Sequence, residues 1–223
     1  MGRLNLGIVI PARNEEKTIG KVTVSLKKFG DILVVDDMST DKTNLILNHS
    51  GIKFIKNKIN LGYEASVLKG IKYLLKKNYK YIATFDADGE HDPEFLKNVK
   101  KYKNFDLLIG DRKKLNRFSE YVFSFFTNLF FSIPDPLSGL KIYSTSILKK
   151  INLSNENDFN TYLIFKIKNL NGKIIHKLVS VKKRKDRSRL GSNYKVNFKI
   201  IICLIKLFLK IINYKLHKAK FPY

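Results

Sequence analysis

Apolar positions in this chain alternate between two rhythms. Short runs of β-branched and aliphatic residues are separated by longer stretches with apolar residues three and four apart, the signatures of buried strands and amphipathic helices. The first run, residues 4–10, is closed by Pro11. Residues 14–28 follow with helical spacing, Ile19, Val22 and Leu26 sharing one face. Residues 32–35 predict a second strand that stops at Asp36 and Asp37, and the segment MSTDKTNLIL starts a short helix. Residues 51–55 predict a third strand, 57–62 a turn and 63–76 a helix. The run that begins at Tyr79 ends at Asp86, and Pro93, a favoured first-turn residue, opens another helix. Residues 105–109 predict a strand ended by Gly110, Asp111 and Arg112. Strands alternating with helices imply an α/β fold with a parallel, doubly wound sheet. Right-handed crossovers then set Asp37, Asp86, Asp88 and Arg112 along one edge of it.

The rhythm changes near residue 116. Residues 118–133 form a helix-length segment carrying Phe118, Tyr121, Phe123, Phe125, Phe126, Phe130 and Phe131, and the reading favoured here is partial packing in the core. Pro134 to Gly139 form a tight loop, followed by a short strand and helix. Residues 158–170 predict a helix ended near Gly172, 173–181 a strand, 182–195 a basic loop and 196–215 a last helix. The apolar core of that helix, residues 198–212, is 15 residues long, shorter than the ~20 needed to span a bilayer. Lys195, Lys199, Lys206 and Lys210 fall within about 60° of one another on a helical wheel. Such a helix either lies in a membrane interface with its lysines toward phosphates or packs on the protein's own core. The expected organisation is one domain over residues 1–194 and an amphipathic C-terminal helix and tail over 195–223.

A length of 223 residues suits one α/β domain with short additions. Lys and Arg number 43 against 19 Asp and Glu, a formal charge of +24. That excess favours an anionic partner: nucleic acid, an acidic membrane surface or a phosphorylated substrate. A lysine-rich solvated surface gives the same charge, so charge alone chooses no partner. The one cysteine, Cys203, excludes an internal disulfide, and with four scattered histidines it excludes a zinc cage. The N-terminus is too briefly apolar for a signal peptide.

The chemistry concentrates at Asp86-Ala87-Asp88. Acidic pairs commonly cap helices or fill turns. A pair at the carboxyl end of a strand is more informative, because open α/β sheets bind ligands there. Two carboxylates one residue apart can hold a hard divalent cation, which in turn can hold a diphosphate.

The segments IPARNEEKTI, ILVVDDMSTDKT, NLGYEASVLKGI, FDADGEHDPEFL, GDR and DPLSGLKIYS occur in the order and spacing of family 2 glycosyltransferases. The chain most resembles the dolichol-phosphate mannose synthase branch, which includes polyprenyl-phosphate glycosyltransferases, over residues 4–145. The resemblance implies a single nucleotide-sugar-binding domain of the GT-A type, with a mostly parallel sheet between helices. It implies nucleoside contacts from Pro11, Arg13 and Glu15, and base and ribose contacts from Val35 and Asp37. It implies a metal and diphosphate site at Asp86, Ala87 and Asp88. Glu90 replaces a glutamine common in close relatives and keeps an oxygen ligand, so the implied ligand set for Mg2+ or Mn2+ is Asp86, Asp88 and Glu90. His91 reads as a helix-start residue rather than a ligand, since oxygens suffice for Mg2+. Arg112 matches a donor-phosphate contact.

The resemblance further implies an acceptor-phosphate contact from Arg187 or Arg189 in the basic loop, where this chain carries Asn193 in place of a family lysine. Asp158 stands near a position that is often Glu. Asp135 is the nearest candidate base for a hydroxyl acceptor, or else it fixes its own loop. The implied reaction is metal-dependent, inverting transfer of a sugar from a nucleotide-sugar donor to a polyprenyl (dolichyl-type) phosphate at the inner face of the cytoplasmic membrane. One alternative is transfer to a saccharide hydroxyl; another is a basic nucleic-acid-binding protein, for which no recognition motif is present. Relatives often carry transmembrane helices after this domain. None is legible up to Tyr223, so the expected attachment is peripheral or through a membrane-protein partner.

Overall fold

A computed structural model describes residues 5–102, 104–153, 159–182 and 193–220. The strands are β1 (Leu6–Ala12), β2 (Asp31–Asp36), β3 (Phe54–Lys56), β4 (Tyr81–Thr84), β5 (Leu107–Arg112), β6 (Lys141–Ser144) and β7 (Ile174–Val179). They form one sheet in the order β3-β2-β1-β4-β6-β5-β7. The helices are α1 (Ile19–Leu26), α2 (Thr43–His49), α3 (Tyr63–Leu75), α4 (Asn98–Lys101), α5 (Phe118–Phe131), α6 (Thr145–Lys149), α7 (Phe159–Asn169) and α8 (Asn193–Lys220).

Every residue of β1 is buried because both faces of the sheet are covered. Its side chains alternate between two cores. Ile8 and Ile10 pack with Ile19, Val22 and Leu26 of α1 and Leu47 of α2. Val9 packs on the opposite side with Val67, Leu68 and Ile71 of α3 and with Leu163 and Ile164 of α7. Strands β1, β2 and β3 step one way and β4 lies on the other flank of β1, all in parallel. The chain therefore reverses its winding between β1 and β4, the position where such sheets open a ligand crevice.

The sheet departs from full parallelism at one strand. β6 runs antiparallel to both β4 and β5. The cause is topological: β5 ends at the carboxyl edge with Arg112, and α5 and the Pro134–Gly139 loop stay at that edge. The chain consequently enters β6 from above and runs down. The element predicted after Pro93 is a short 3-10 turn, Pro93–Lys97, capped by the Asp92 carboxylate on the Glu94 N–H at 3.0 Å. Helix α1 begins five residues after the predicted start because Asn14, at φ 54°, turns the chain first.

Gly70 of α3 sits against β1 and β2; a Cβ there would lie 2.4 Å from Val9 Cγ1 and 3.1 Å from Val35 Cγ2. Neither branched side chain can retreat within a filled core. Gly70→Ala is expected to destabilise the fold by about 1–3 kcal/mol, read as a lowered urea midpoint with an unchanged slope.

Candidate functional site at the carboxyl edge of the sheet

The loops after β1 and β2 are knitted into one rim. The Asn14 N–H donates to Ser39 Oγ at 2.8 Å, the Glu15 N–H to Thr43 Oγ1 at 2.8 Å, and the Thr40 N–H to Asn14 Oδ1 at 2.8 Å. Pro11 and Glu15 are buried in this rim and Arg13 is exposed on it. Val35 lies in the core against Gly70, inward of the rim. Asp37 reaches the rim buried: its carboxylate accepts from Asn57 Nδ2 at 2.9 Å and from the N–H groups of Leu61 and Gly62 at 2.8 Å each. The residue expected at the ribose thus organises the loop before α3. Lys69 Nζ, bonded to Asn57 Oδ1 at 2.7 Å, completes that network.

Past β4, Ala87 turns into the core while Asp86 and Asp88 remain at the surface of the crevice. Asp86 accepts from the Tyr63 hydroxyl at 2.8 Å and pairs with His91 Nε2 at 3.2 Å. One Asp88 oxygen accepts the Glu90 N–H at 3.1 Å across a turn made at Gly89, φ 76°. Burial alone would raise Asp86, but the hydrogen bond and charge of His91, the Tyr63 hydroxyl and the charge of Lys141 hold it below the ordinary carboxylate range. Burial likewise pushes His91 down, and the Asp86 contact with the charges of Asp86 and Asp88 outweighs it, so the imidazole sits above its usual value. His91 is thereby an ion-pair partner of Asp86.

Gly139 closes the crevice floor, where a Cβ would fall 2.0 Å from Asp86 Oδ2. Beneath it Lys141 is fully buried and donates to the Ser138 carbonyl. Burial drives its ammonium pKa down against the opposing charges of Glu64, Asp135 and Asp86.

Among the described residues, no three His, Cys, Asp or Glu side chains converge as a metal cage. The expected set Asp86, Asp88 and Glu90 is therefore not pre-formed, since Asp86 is turned to Tyr63 and His91 and the backbone of Glu90 takes an Asp88 oxygen. The donor set still fits a hard divalent cation. A carboxylate offers about four lone-pair positions, and Mg2+ characteristically takes one or two protein carboxylates with substrate phosphates and water completing its shell.

Arg112 and Asp135 meet as a fork. Arg112 Nε and Nη2 donate to the two Asp135 oxygens at 2.8 and 2.9 Å, and the Arg112 N–H adds a third bond at 3.0 Å. Arg112 Nη1 reaches Glu120 at 3.1 Å, and Arg117 Nη1 reaches the other Glu120 oxygen at 2.9 Å. The sequence reading missed Glu120, Lys141, Tyr63 and Asn57. The fully polar position of Glu120 inside an aromatic helix was the available signal for one of them.

Helix α5 buries Ser119, Glu120, Phe123 and Thr127 and exposes Phe118, Tyr121, Phe125, Leu129 and Phe130. The core packing expected for its aromatic residues holds for Phe123 and in part for Phe131. Helix α8 lies beside it. Leu204, Leu207 and Ile211 join Phe123 and Phe165 in a small core, while Phe198, Ile205, Leu209 and Ile212 stay exposed. Among the described residues no helix is long and apolar enough to cross a membrane. Arg187 and Arg189, like Asp158, lie outside the described residues.

The Asp86–His91 pair sets a pH signature. Because His91 is raised, its stabilisation is full in mildly acid solution and is lost as pH climbs through the raised value; because Asp86 is lowered, its share is lost only in acid. In metal-free buffer, the melting temperature of the unmodified chain should fall relative to that of His91→Gln between about pH 6 and about pH 8.5. Parallel curves would refute the pairing.

A family model described as glycosyl transferase family 2 matches residues 7–117. Two uncharacterised proteins of Methanocaldococcus jannaschii are 36% and 32% identical over 65% and 78% of this chain. The first alignment spans 66% of its relative, just under two thirds, and the second 86%. A UDP-N-acetylglucosamine–dolichyl-phosphate N-acetylglucosaminyltransferase of Methanococcus voltae is 27% identical over 64% of this chain and 70% of its own length. Among solved structures, glucosyl-3-phosphoglycerate synthase from Mycobacterium tuberculosis, in complex with Mn2+, UDP-glucose and phosphoglyceric acid, superimposes with a TM-score of 0.70 at 18% identity, covering 92% of this chain and 80% of that one. The shared fold follows from the superposition, and the sequence matches assign the lineage: this chain belongs to glycosyltransferase family 2.

Proposed function

We propose that this chain transfers a sugar, with inversion, from a nucleoside-diphosphate donor to a polyprenyl phosphate at a membrane surface. The observation that carries the reading is one continuity. A rim of carboxylates and an arginine at the sheet's winding reversal joins directly, through Glu120, an exposed aromatic helix face. The relatives' printed activities toward dolichyl, polyprenol and undecaprenyl carriers support the same acceptor class.

In this reading the knitted rim of Pro11, Arg13 and Glu15, with the loop that Asp37 holds, seats the nucleoside. Asp88 and Asp86 would hold Mg2+ or Mn2+, with Glu90 as an added oxygen source; bound there, a divalent cation supplies Lewis-acid neutralisation of the diphosphate. Arg112 contributes charge-assisted hydrogen bonds as negative charge builds on the leaving group. A phosphate monoester has a second pKa of about 6 and is already an anionic nucleophile near neutrality. No general base is then required. Both oxygens of Asp135 are held by Arg112, which supports a phosphate rather than a hydroxyl acceptor. Arg187 or Arg189 would receive the acceptor phosphate. The exposed faces of α5 and α8, with Lys195, Lys199, Lys206 and Lys210 beside them, would meet the bilayer interface, apolar side chains inward and ammonium groups toward lipid phosphates.

Incubation with radiolabelled UDP- and GDP-sugars, Mg2+ or Mn2+ and purified polyprenyl phosphate should label the lipid phosphate. Label entering only saccharides would overturn the acceptor assignment. Asp88→Ala should lower that transfer by about 100-fold or more while leaving the melting curve in place. Replacing Phe125, Leu129, Ile205 and Leu209 by Ser should release the chain from anionic liposomes in a flotation gradient; unchanged flotation would remove the membrane part of the reading.

A further inference from the structure

Arg112 is held from two sides by carboxylates on different elements. Asp135, in the loop before β6, takes Nε and one Nη2 hydrogen, while Glu120, in the first turn of α5, takes one Nη1 hydrogen. A guanidinium has five N–H donors. Three are therefore committed, leaving one on each of Nη1 and Nη2. The same guanidinium lies in the electrostatic field of Asp86 and His91 across the crevice.

Glu120 is the only acidic residue of α5. It sits in an aromatic helix, is 4% exposed, and takes bonds from Arg112, Arg117 and the Asn116 N–H. A chain of four charges, Arg117–Glu120–Arg112–Asp135, with both carboxylates buried and both guanidinium groups largely covered, is an expensive way to seat a helix, because apolar residues of similar volume commonly do as well or better. What it provides and an apolar patch does not is a fixed rotation of the guanidinium plane. Asp135 alone would leave Nη1 without a fixed partner. Glu120 supplies that third point and is itself held by Arg117.

We infer that Glu120 is a positioning residue that aims the two remaining N–H groups of Arg112 at the β-phosphate of a bound nucleoside diphosphate. The inference deepens the proposed function and rests on its assignment of a nucleotide donor to this rim. Glu120 touches neither donor nor acceptor and acts through Arg112.

The test is a binding cycle that needs no acceptor. Affinities for UDP, GDP, UMP and GMP are measured by calorimetry with Mn2+ present for the unmodified chain, Glu120→Gln, Arg112→Ala and the double variant. For whichever base binds, Glu120→Gln should weaken the diphosphate about 5- to 10-fold and the monophosphate less than about 2-fold. In the Arg112→Ala background the same change should cost less than about 2-fold, because its only route to the ligand is gone. Glu120→Asp, which keeps the charge on a shorter arm, should recover part of the loss. Equal losses for mono- and diphosphates would overturn the inference. So would an effect that persists undiminished without Arg112, which would mark Glu120 as a general support of the fold. A chain that binds a diphosphate and behaves as expected in the cycle, yet transfers no sugar to polyprenyl phosphate, would remove the acceptor reading and keep this one. A chain that binds no nucleoside diphosphate would remove both.

Discussion

Each carboxylate along the rim of this sheet is met by hydrogen-bond donors from a different segment, and the architecture of the site follows from how each one is met. Asp37 takes two backbone N–H groups and an amide. Asp86 takes an imidazole and a phenol. Asp135 and Glu120 share one guanidinium. Hydrogen bonds to a charged group contribute about 1.5–3 kcal/mol each, whereas a buried carboxylate stripped of its partner costs about 3–5 kcal/mol. That asymmetry favours the loops as they lie: the segment before α3 folds onto Asp37, and the segment before β6 folds onto Arg112.

The same requirement explains the small residues. Gly139 lies against the Asp86 carboxylate, and any side chain there would displace the acid from Tyr63 and His91. Lys141 sits directly below as a buried amine whose cost of desolvation is only partly offset by Glu64, Asp135 and Asp86. Electrostatic order at the rim and steric order beneath it are therefore one device: the glycine leaves room for the acid, and the acid draws in the groups that surround it.

Much of this frame was legible in the sequence. Strand-to-helix alternation located β1 to β5 and the helices between β1 and β4, though not the 3-10 turn after Pro93, and right-handed crossovers brought the Asp37, Asp86, Asp88 and Arg112 positions to one edge. The strand direction of β6 was not legible, because it depends on where α5 and the following loop lie in space. Nor was the pairing of acids. Asp135 and Arg112 are 23 positions apart, and their fork follows from two loops returning to the same rim. Partial packing of the aromatic helix was legible, but which face turns inward was not, for a specific reason. Periodicity identifies a buried face when apolar and polar residues separate, and α5 is apolar almost all round. Its inward face was chosen by groups that need partners: Ser119 donating to Asn197 at 2.6 Å, Glu120 to the arginines, and Thr127 to the Phe123 and Ile133 carbonyls.

That choice has a mechanical consequence. A helix seated by polar bonds leaves its large apolar side chains outside. A ring buries on the order of 150–250 Å2 when covered, so partial immersion contributes roughly 1–2 kcal/mol each at about 25 cal/mol per Å2. A handful of such rings, assisted by lysines on α8, suffices for reversible attachment and falls well short of a spanning helix. Under the proposed reading the outer face of α5 meets hydrocarbon, while its first inner turn grips the arginine that meets the donor. Both contacts belong to one rigid element about 20 Å long at 1.5 Å per residue, so a lipid phosphate delivered from the interface arrives at a rim whose charged groups are already set by the helix it lies beside.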